Sequence, residues 1–118
     1  MAITQTMCTS FKKEILEAVH NFSASGGHTF KIALYTSSAT LGATTTAYST
    51  TNEASGAVYV AGGFTLTNTG VSSGGTTGFS DFGDAYWTAS SITARGALIY
   101  NSSQSNKAVC VLNFGSDI

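Results

Sequence analysis

Short apolar runs alternate with long tracts of Ser, Thr, Gly and Ala along most of this chain. This alternation restricts the length of the secondary-structure elements that can bury apolar side chains. The longest polar tract spans residues 36–56, where Leu41 and Tyr48 are the only large apolar side chains. Short apolar runs bounded by Gly and Ser are typical of strands joined by loops. No proline interrupts them, so backbone pairing is open along the whole chain. The pattern predicts a mainly β protein.

The apolar spacing places the strands. Residues 30–35 alternate as a half-buried strand does, while residues 94–100 and 107–114 are apolar on both faces and flank a polar hairpin loop. Further strands are predicted at residues 57–61, 63–67, 77–82 and 85–88, with a polar connection at 68–76. Strands that are apolar on both faces belong inside a layered structure. We therefore predict an antiparallel β-sandwich or jelly-roll-like domain over about residues 28–116.

One amphipathic helix is predicted before the strands, over about residues 9–24. Its apolar positions recur at a spacing of three or four and are Phe11, Ile15, Leu16, Val19 and Phe22. A single helix of about three turns is not stable alone in water, so we expect this stripe to pack on the sheet. Residues 1–118 then form a single domain.

The polar tract at residues 36–56 is long for a loop inside a compact domain. Ordering each backbone residue costs roughly 1–2 kcal/mol, so a fixed tract needs a surface to pair with. Two alternatives follow. The tract is either an irregular edge strand of its own sheet, or an arm that becomes ordered against a neighbouring molecule.

Charge and cysteine content exclude several classes of function. The formal net charge is −1, and five basic residues form no stripe that would bind nucleic acid. No apolar run approaches the length of a membrane span, and the first residues do not resemble a secretory signal. We therefore expect a protein made in the cytoplasm, with Cys8 and Cys110 as buried thiols. A disulfide between them stays open.

The chain offers little for catalysis. Residues 70–74 match the G-x-S-x-G pattern around Ser72, but a hydrolase elbow needs a strand before the serine and a helix after it. His20 and His28 have no carboxylate or thiolate at metal-ligand spacing, and we expect His20 to meet the carbonyls at the helix end. We predict no catalytic residues, no cofactor and no metal site.

Aromatic side chains are the candidate contact residues. They are Tyr48, Tyr59, Tyr86 and Trp87. Such side chains most commonly anchor a core or a protein interface, and the alternative is a platform on which sugar rings stack.

Arg95 is the only arginine and opens the most apolar hairpin. A lone arginine beside buried strands commonly pairs with a carboxylate. We predict a structural ion pair with Asp81 or Asp84, and Asp117 is a further candidate.

Three segments carry a resemblance to a known group of proteins. They are residues 30–42, 48–56 and 93–103, the last continued by residues 107–109. Along nearly its whole length the chain resembles small virion proteins of tailed bacteriophages, including marine and cyanobacterial phages. The resemblance implies a non-enzymatic structural protein located in the virion, and it supplies no functional residues to carry over.

Two functions are therefore predicted. The first is a virion structural protein that decorates or cements the head, or alternatively belongs to the tail or its fibres; its partners are other virion proteins and copies of itself. The second is a glycan-binding module that contacts a host surface glycan through Tyr86 and Trp87. Neither function involves nucleic acid or a membrane.

Overall fold

A computed structural model describes residues 3–23, 26–56, 59–82 and 92–115 of the chain. Within these ranges the elements are β1 (Thr6–Met7), α1 (Thr9–Leu16), β2 (Phe30–Tyr35), β3 (Phe64–Thr65), β4 (Asn68–Gly74), β5 (Thr77–Phe82), β6 (Gly96–Asn101) and β7 (Lys107–Asn113). The prediction of a mainly β, antiparallel fold with one N-terminal helix is confirmed. No helix of the described ranges is long and apolar enough to cross a membrane.

The main sheet has five antiparallel strands in the order β1-β7-β6-β2-β3. β2 and β6 pair over their full lengths, from Phe30 opposite Asn101 to Tyr35 opposite Gly96. β6 and β7 form the hairpin that the two apolar runs predict. These strands occupy the centre of the sheet, which explains why the sequence makes them apolar on both faces.

The core lies on both sides of this centre. The larger cluster includes Leu98, Ala33 and Ala108, all fully buried, together with Phe11 from the helix. A smaller cluster on Leu34 and Ala97 lies on the opposite face, because these residues alternate along β2 and β6 with Ala33 and Leu98 of the larger cluster. Burial of these apolar side chains is the main driving force that holds the sheet together.

The helix is shorter than predicted and ends at Leu16 rather than near residue 24. Ala18 has a φ of 61°, in the left-handed region, which stops the helical hydrogen bonding one turn after Glu14. The chain then reverses and brings Phe22 back onto Phe30, with ring centroids 4.3 Å apart. Phe22 therefore reaches the core from irregular backbone.

Much of the predicted helix stripe does not pack on the sheet. Phe11 is buried, but Ile15 is 41% exposed and Leu16 is 88% exposed. Phe11 is the residue of α1 that is buried, so the helix contributes one anchor to the core and not the whole predicted stripe. Two large apolar side chains are left on the surface.

The polar tract at residues 36–56 lies along its own sheet. Tyr48 donates its N–H to Asn106 at the start of β7, and Ala47 forms a bridge with Lys107. On the other side of β6, Glu53 forms a bridge with Tyr35 of β2. The tract therefore pairs with β7 at one point and with β2 at another, and the chain's own strands hold its backbone.

The second sheet is the two-stranded hairpin of β4 and β5. β5 confirms the strand predicted at residues 77–82, but β4 occupies most of the predicted polar connection at 68–76. Val71 is the only large apolar side chain of β4, so the sequence has no alternation of apolar residues that would predict a strand there. Pairing across a two-residue turn with positive φ at Gly75 makes this segment a strand.

The strand predicted at residues 63–67 is reduced to β3. It begins only after Gly62 and Gly63, which both have a positive φ, outside the usual strand region. The strands predicted at 57–61 and 85–88 fall partly or wholly outside the described residues.

Candidate functional site

Glu53 is the centre of the most densely hydrogen-bonded polar cluster of the described residues. Its Oε1 accepts a hydrogen bond of 2.6 Å from the Tyr48 hydroxyl. Its Oε2 accepts from the Tyr59 hydroxyl and, at 2.9 Å, from the N–H of Gly62. Three donors thus surround one carboxylate, and charge-assisted hydrogen bonds of this kind are stronger than neutral ones.

Two more tyrosines extend this group, which we call the tyrosine–Glu53 cluster: Glu53 with Tyr35, Tyr48, Tyr59 and Tyr100. The Tyr100 hydroxyl donates to the carbonyl of Gly62, and its ring stacks on Tyr48 with centroids 4.7 Å apart. The Tyr35 hydroxyl donates to the carbonyl of Ser49 at 2.6 Å. The cluster fastens the polar tract at residues 36–56 to β2 and β6.

The tyrosine hydroxyls of this cluster stay protonated at neutral pH. Burial, and secondarily the charge of Glu53, raises the pKa of Tyr100 to about 12. Burial also raises the pKa values of Tyr35, Tyr48 and Tyr59 well above the ordinary value. A hydroxyl with so high a pKa is poorly matched to proton transfer near pH 7. The arrangement is suited to a structural role, in which the hydrogen bonds hold residues 36–56 against β2 and β6.

Alkaline titration tests these pKa values. A tyrosine ordinarily ionises at a pKa of about 10, so the folded protein holds these protons to higher pH than the unfolded chain does. The contribution of the Tyr100 proton to stability is complete below about pH 10 and is lost as the pH rises through its folded pKa of about 12, and the raised pKa values of Tyr35, Tyr48 and Tyr59 act in the same direction. We expect absorbance at 295 nm to show tyrosines that ionise far above pH 10 in the native protein. Ionisation of all tyrosines near pH 10 without unfolding would contradict this.

A second polar cluster surrounds His20, whose side chain is fully buried. The Asn101 Oδ1 accepts from the N–H of Ser103, which turns its amide nitrogen toward His20 Nδ1 at 3.0 Å. His20 Nδ1 therefore accepts, and its Nε2–H donates to Glu14 at 2.8 Å. The expected contact of His20 with helix-end carbonyls is replaced by these two side-chain partners.

His28 belongs to the same cluster. Its Nδ1 accepts from the N–H of Asn21 at 3.1 Å and lies 2.9 Å from the Asn101 amide nitrogen. Asn101 thus bridges both histidines and joins the segment after the helix to the end of β6. In the part of the chain that the structure describes, no three His, Cys, Asp or Glu side chains are grouped as metal ligands.

Two of the four aromatic residues predicted to make contacts, Tyr48 and Tyr59, lie among the described residues. Tyr59 is 8% exposed, and Tyr48 presents one ring face to Tyr100. Both direct their hydroxyls to Glu53, so both serve the core of their own chain. Tyr86 and Trp87 lie outside the described residues, and a sugar platform built on them stays a prediction.

The predicted ion pair of Arg95 also stays a prediction. Arg95 Nε donates to Oδ1 of Asn113 at 3.2 Å, across the β6–β7 pair. Asp81 lies in β5, but the structure does not describe its side chain. Asp84 and Asp117 lie outside the described residues.

The serine and cysteine candidates lie in ordinary structural surroundings. Ser72 is exposed in the middle of β4, and β5 follows it where a hydrolase elbow would have a helix. Cys8 and Cys110 are both free thiols. Burial, with a smaller effect of Cys8, raises the pKa of Cys110 to about 11, which keeps the thiol protonated and poorly nucleophilic at neutral pH.

The polar tract encloses one open cavity of about 410 Å³. Its lining includes the side chains of Thr44, Thr45, Thr46, Ser49, Thr51 and Asn52. Tyr35 and Leu41 also line it. Among the described lining residues none carries a carboxylate, amine or imidazole, and their hydroxyl and amide groups can form hydrogen bonds with a neutral polar group.

Sequence reasoning missed Glu53, although a signal was present: it is the only charged residue between Lys31 and Asp81. It also missed the exposure of Ile15 and Leu16, because the predicted helix stripe was expected to pack on the sheet, and it offered no signal for the other exposed apolar side chains. Those most exposed are Leu16, Val60, Val71, Met7 and Ile15. Comparison of the chain with family models, curated proteins and solved structures finds no match.

Proposed function

We propose that this chain is a non-enzymatic structural protein of a tailed-phage particle, bound to the head as a decoration or cement protein. The resemblance of residues 30–42 and 93–103 to small virion proteins supplies the class of protein. The observation that carries the proposal is the contrast between polar groups that bond within the chain and large apolar side chains that face outward.

Glu53 and His20, two polar groups of the described core, bond to partners in their own chain. Glu53 binds donors from its own chain on both oxygens, and His20 has a partner on each ring nitrogen. Such groups hold a fold together and leave little chemistry for a substrate. A capsid component needs this property, because each copy must stay rigid on the shell.

The exposed apolar groups supply contact energy. Leu16 is 88% exposed at the end of α1, beside Ile15 at 41%. Burying apolar surface contributes roughly 25 cal/mol per Å², so the pair favours contact with another protein. The low content of charged residues removes electrostatic repulsion between closely packed copies.

Purified phage particles that carry the gene for this chain provide the test. We expect the chain in the particle proteome, and its five-stranded sheet in density on the head surface. Particles that lack the chain would refute the proposal. Density at the tail would refute the head location and establish the tail alternative.

A variant pair tests the contact surface. Leu16→Asp places a charge on the exposed helix end, and we expect lower occupancy on the particle with an unchanged unfolding midpoint. Ser37→Asp, at another exposed position, is the matched control and should leave occupancy unchanged. Equal occupancy of both variants would exclude the helix end as the contact.

A further inference from the structure

The hairpin of β4 and β5 packs on the main sheet through Phe82, whose ring lies 5.7 Å from that of Phe30, but it forms no ladder with that sheet. Within the described residues its strands pair with each other and with no other strand. Residues 71–77 are exposed throughout. The base of the hairpin is held by the Asn68 amide, which donates to the carbonyl of Phe22 at 2.6 Å. A two-stranded hairpin alone is marginally stable in water, so this one gains from a further strand.

The register identifies which backbone groups of β4 are open. The two-residue turn joins Gly74 to its partner Thr77, and such a turn is closed by a hydrogen-bonded pair. Hydrogen-bonded and non-bonded pairs then alternate along the hairpin. The N–H and C=O groups of Val71 and Ser73 therefore point away from β5, along an edge that no other described strand covers.

This edge also lacks the usual protection against pairing. Natural edge strands carry charged residues or proline, and residues 68–80 contain neither. In the main sheet, by contrast, the outer sides of the long strands β7 and β2 are partly covered, by the polar tract at Lys107 and Tyr35 and by β1 at the middle of β7. An approaching strand therefore meets open backbone at β4.

We propose that β4 pairs antiparallel with β4 of a second copy of this chain and joins two hairpins into a four-stranded sheet. The same uncharged edge is present on every copy, so a two-fold contact matches it to itself without like-charge repulsion. Side chains of Val71 from both copies then lie near the two-fold axis and lose exposed apolar surface. The inference rests on the proposed function, which needs contacts between copies, and it names the surface that makes one of them.

Sedimentation over a concentration series tests the pairing. We expect the purified protein to form a dimer, and Val71→Pro to weaken the dimer about tenfold or more, because each copy loses an outward N–H. Val71→Thr is the matched control, since it keeps the N–H and a β-branched side chain, and its dimer should persist. Thermal unfolding of both variants should stay close to that of the parent chain.

Hydrogen exchange on the unsubstituted protein gives a readout that needs no variant. The amides of Val71 and Ser73 should be protected at high concentration and exchange rapidly on dilution, while the paired amide of Ser72 changes little. A protein that stays monomeric at every concentration, or a dimer that Val71→Pro leaves intact, would overturn the pairing. A monomer still found in particles would refute the pairing alone, whereas a dimer absent from particles would refute the proposed function alone.

Discussion

Replacing Glu53 with Ala is expected to lower the free energy of unfolding by about 3 kcal/mol or more, because buried donors without an acceptor cost about 1–3 kcal/mol each. The substitution removes the acceptor of the Tyr48 and Tyr59 hydroxyls and of the Gly62 N–H. Tyr48 is partly exposed and regains water, so the loss falls mainly on the other two donors. Urea denaturation followed by tyrosine and tryptophan fluorescence measures the change.

Two further variants identify the cause of this loss. Glu53→Gln keeps the shape and one acceptor oxygen, so its midpoint should lie between those of the parent and Glu53→Ala. Glu17→Ala removes an exposed carboxylate whose partner is the more exposed Lys13, and it should leave the midpoint almost unchanged. If Glu53→Ala were as stable as Glu17→Ala, the tyrosine–Glu53 cluster would not hold the polar tract in place.

Replacing Gly63 with Ala is expected to destabilise the protein by about 3 kcal/mol or more, because left-handed strain and overpacking against backbone act together. Gly63 has a φ of +88°, and a Cβ at this position would lie 1.9 Å from the carbonyl oxygen of Ile32. The neighbour is backbone of β2 and cannot rotate away as a side chain can. β3 would have to separate from β2.

Gly75→Ala is the control for Gly63→Ala, because it adds left-handed backbone strain without a steric clash of the new Cβ. Gly75 also has a positive φ, +59°, but a Cβ there meets nothing within 4 Å. The loss in free energy of unfolding should therefore be about 1–2 kcal/mol, the cost of a left-handed backbone conformation at a residue with a Cβ. Equal unfolding midpoints for the two variants would show that the close approach of Gly63 to Ile32 carries no energetic weight.

The strands that bury apolar side chains were predictable from the sequence. β2, β6 and β7 each carry apolar residues at strand spacing, which predicts them as strands. β6 and β7 are apolar on both faces, which predicts their position in the middle of the sheet. Local spacing suffices there because burial on both faces leaves a mark on every residue of the strand.

The candidate sites were less predictable. The tyrosine–Glu53 cluster joins the segment of Glu53 and Tyr59 to Tyr35 and Tyr100 of two different strands, which meet it because the polar tract lies along the sheet. β4 carries no burial pattern, since its side chains face solvent, and it is a strand through its partner alone. Contacts between distant segments leave no periodic signal in either segment.

The sequence by itself determined that this chain is mainly β, with one N-terminal helix and a low charge, because composition and apolar spacing act residue by residue. The tertiary structure alone decided where the helix stops and that Leu16 faces solvent. It also decided that the hydroxyl-rich tract is bound to its own sheet, and that the open backbone edge lies on the β4–β5 hairpin. Each of these depends on which distant segments meet, and that is fixed by the packing of the whole chain.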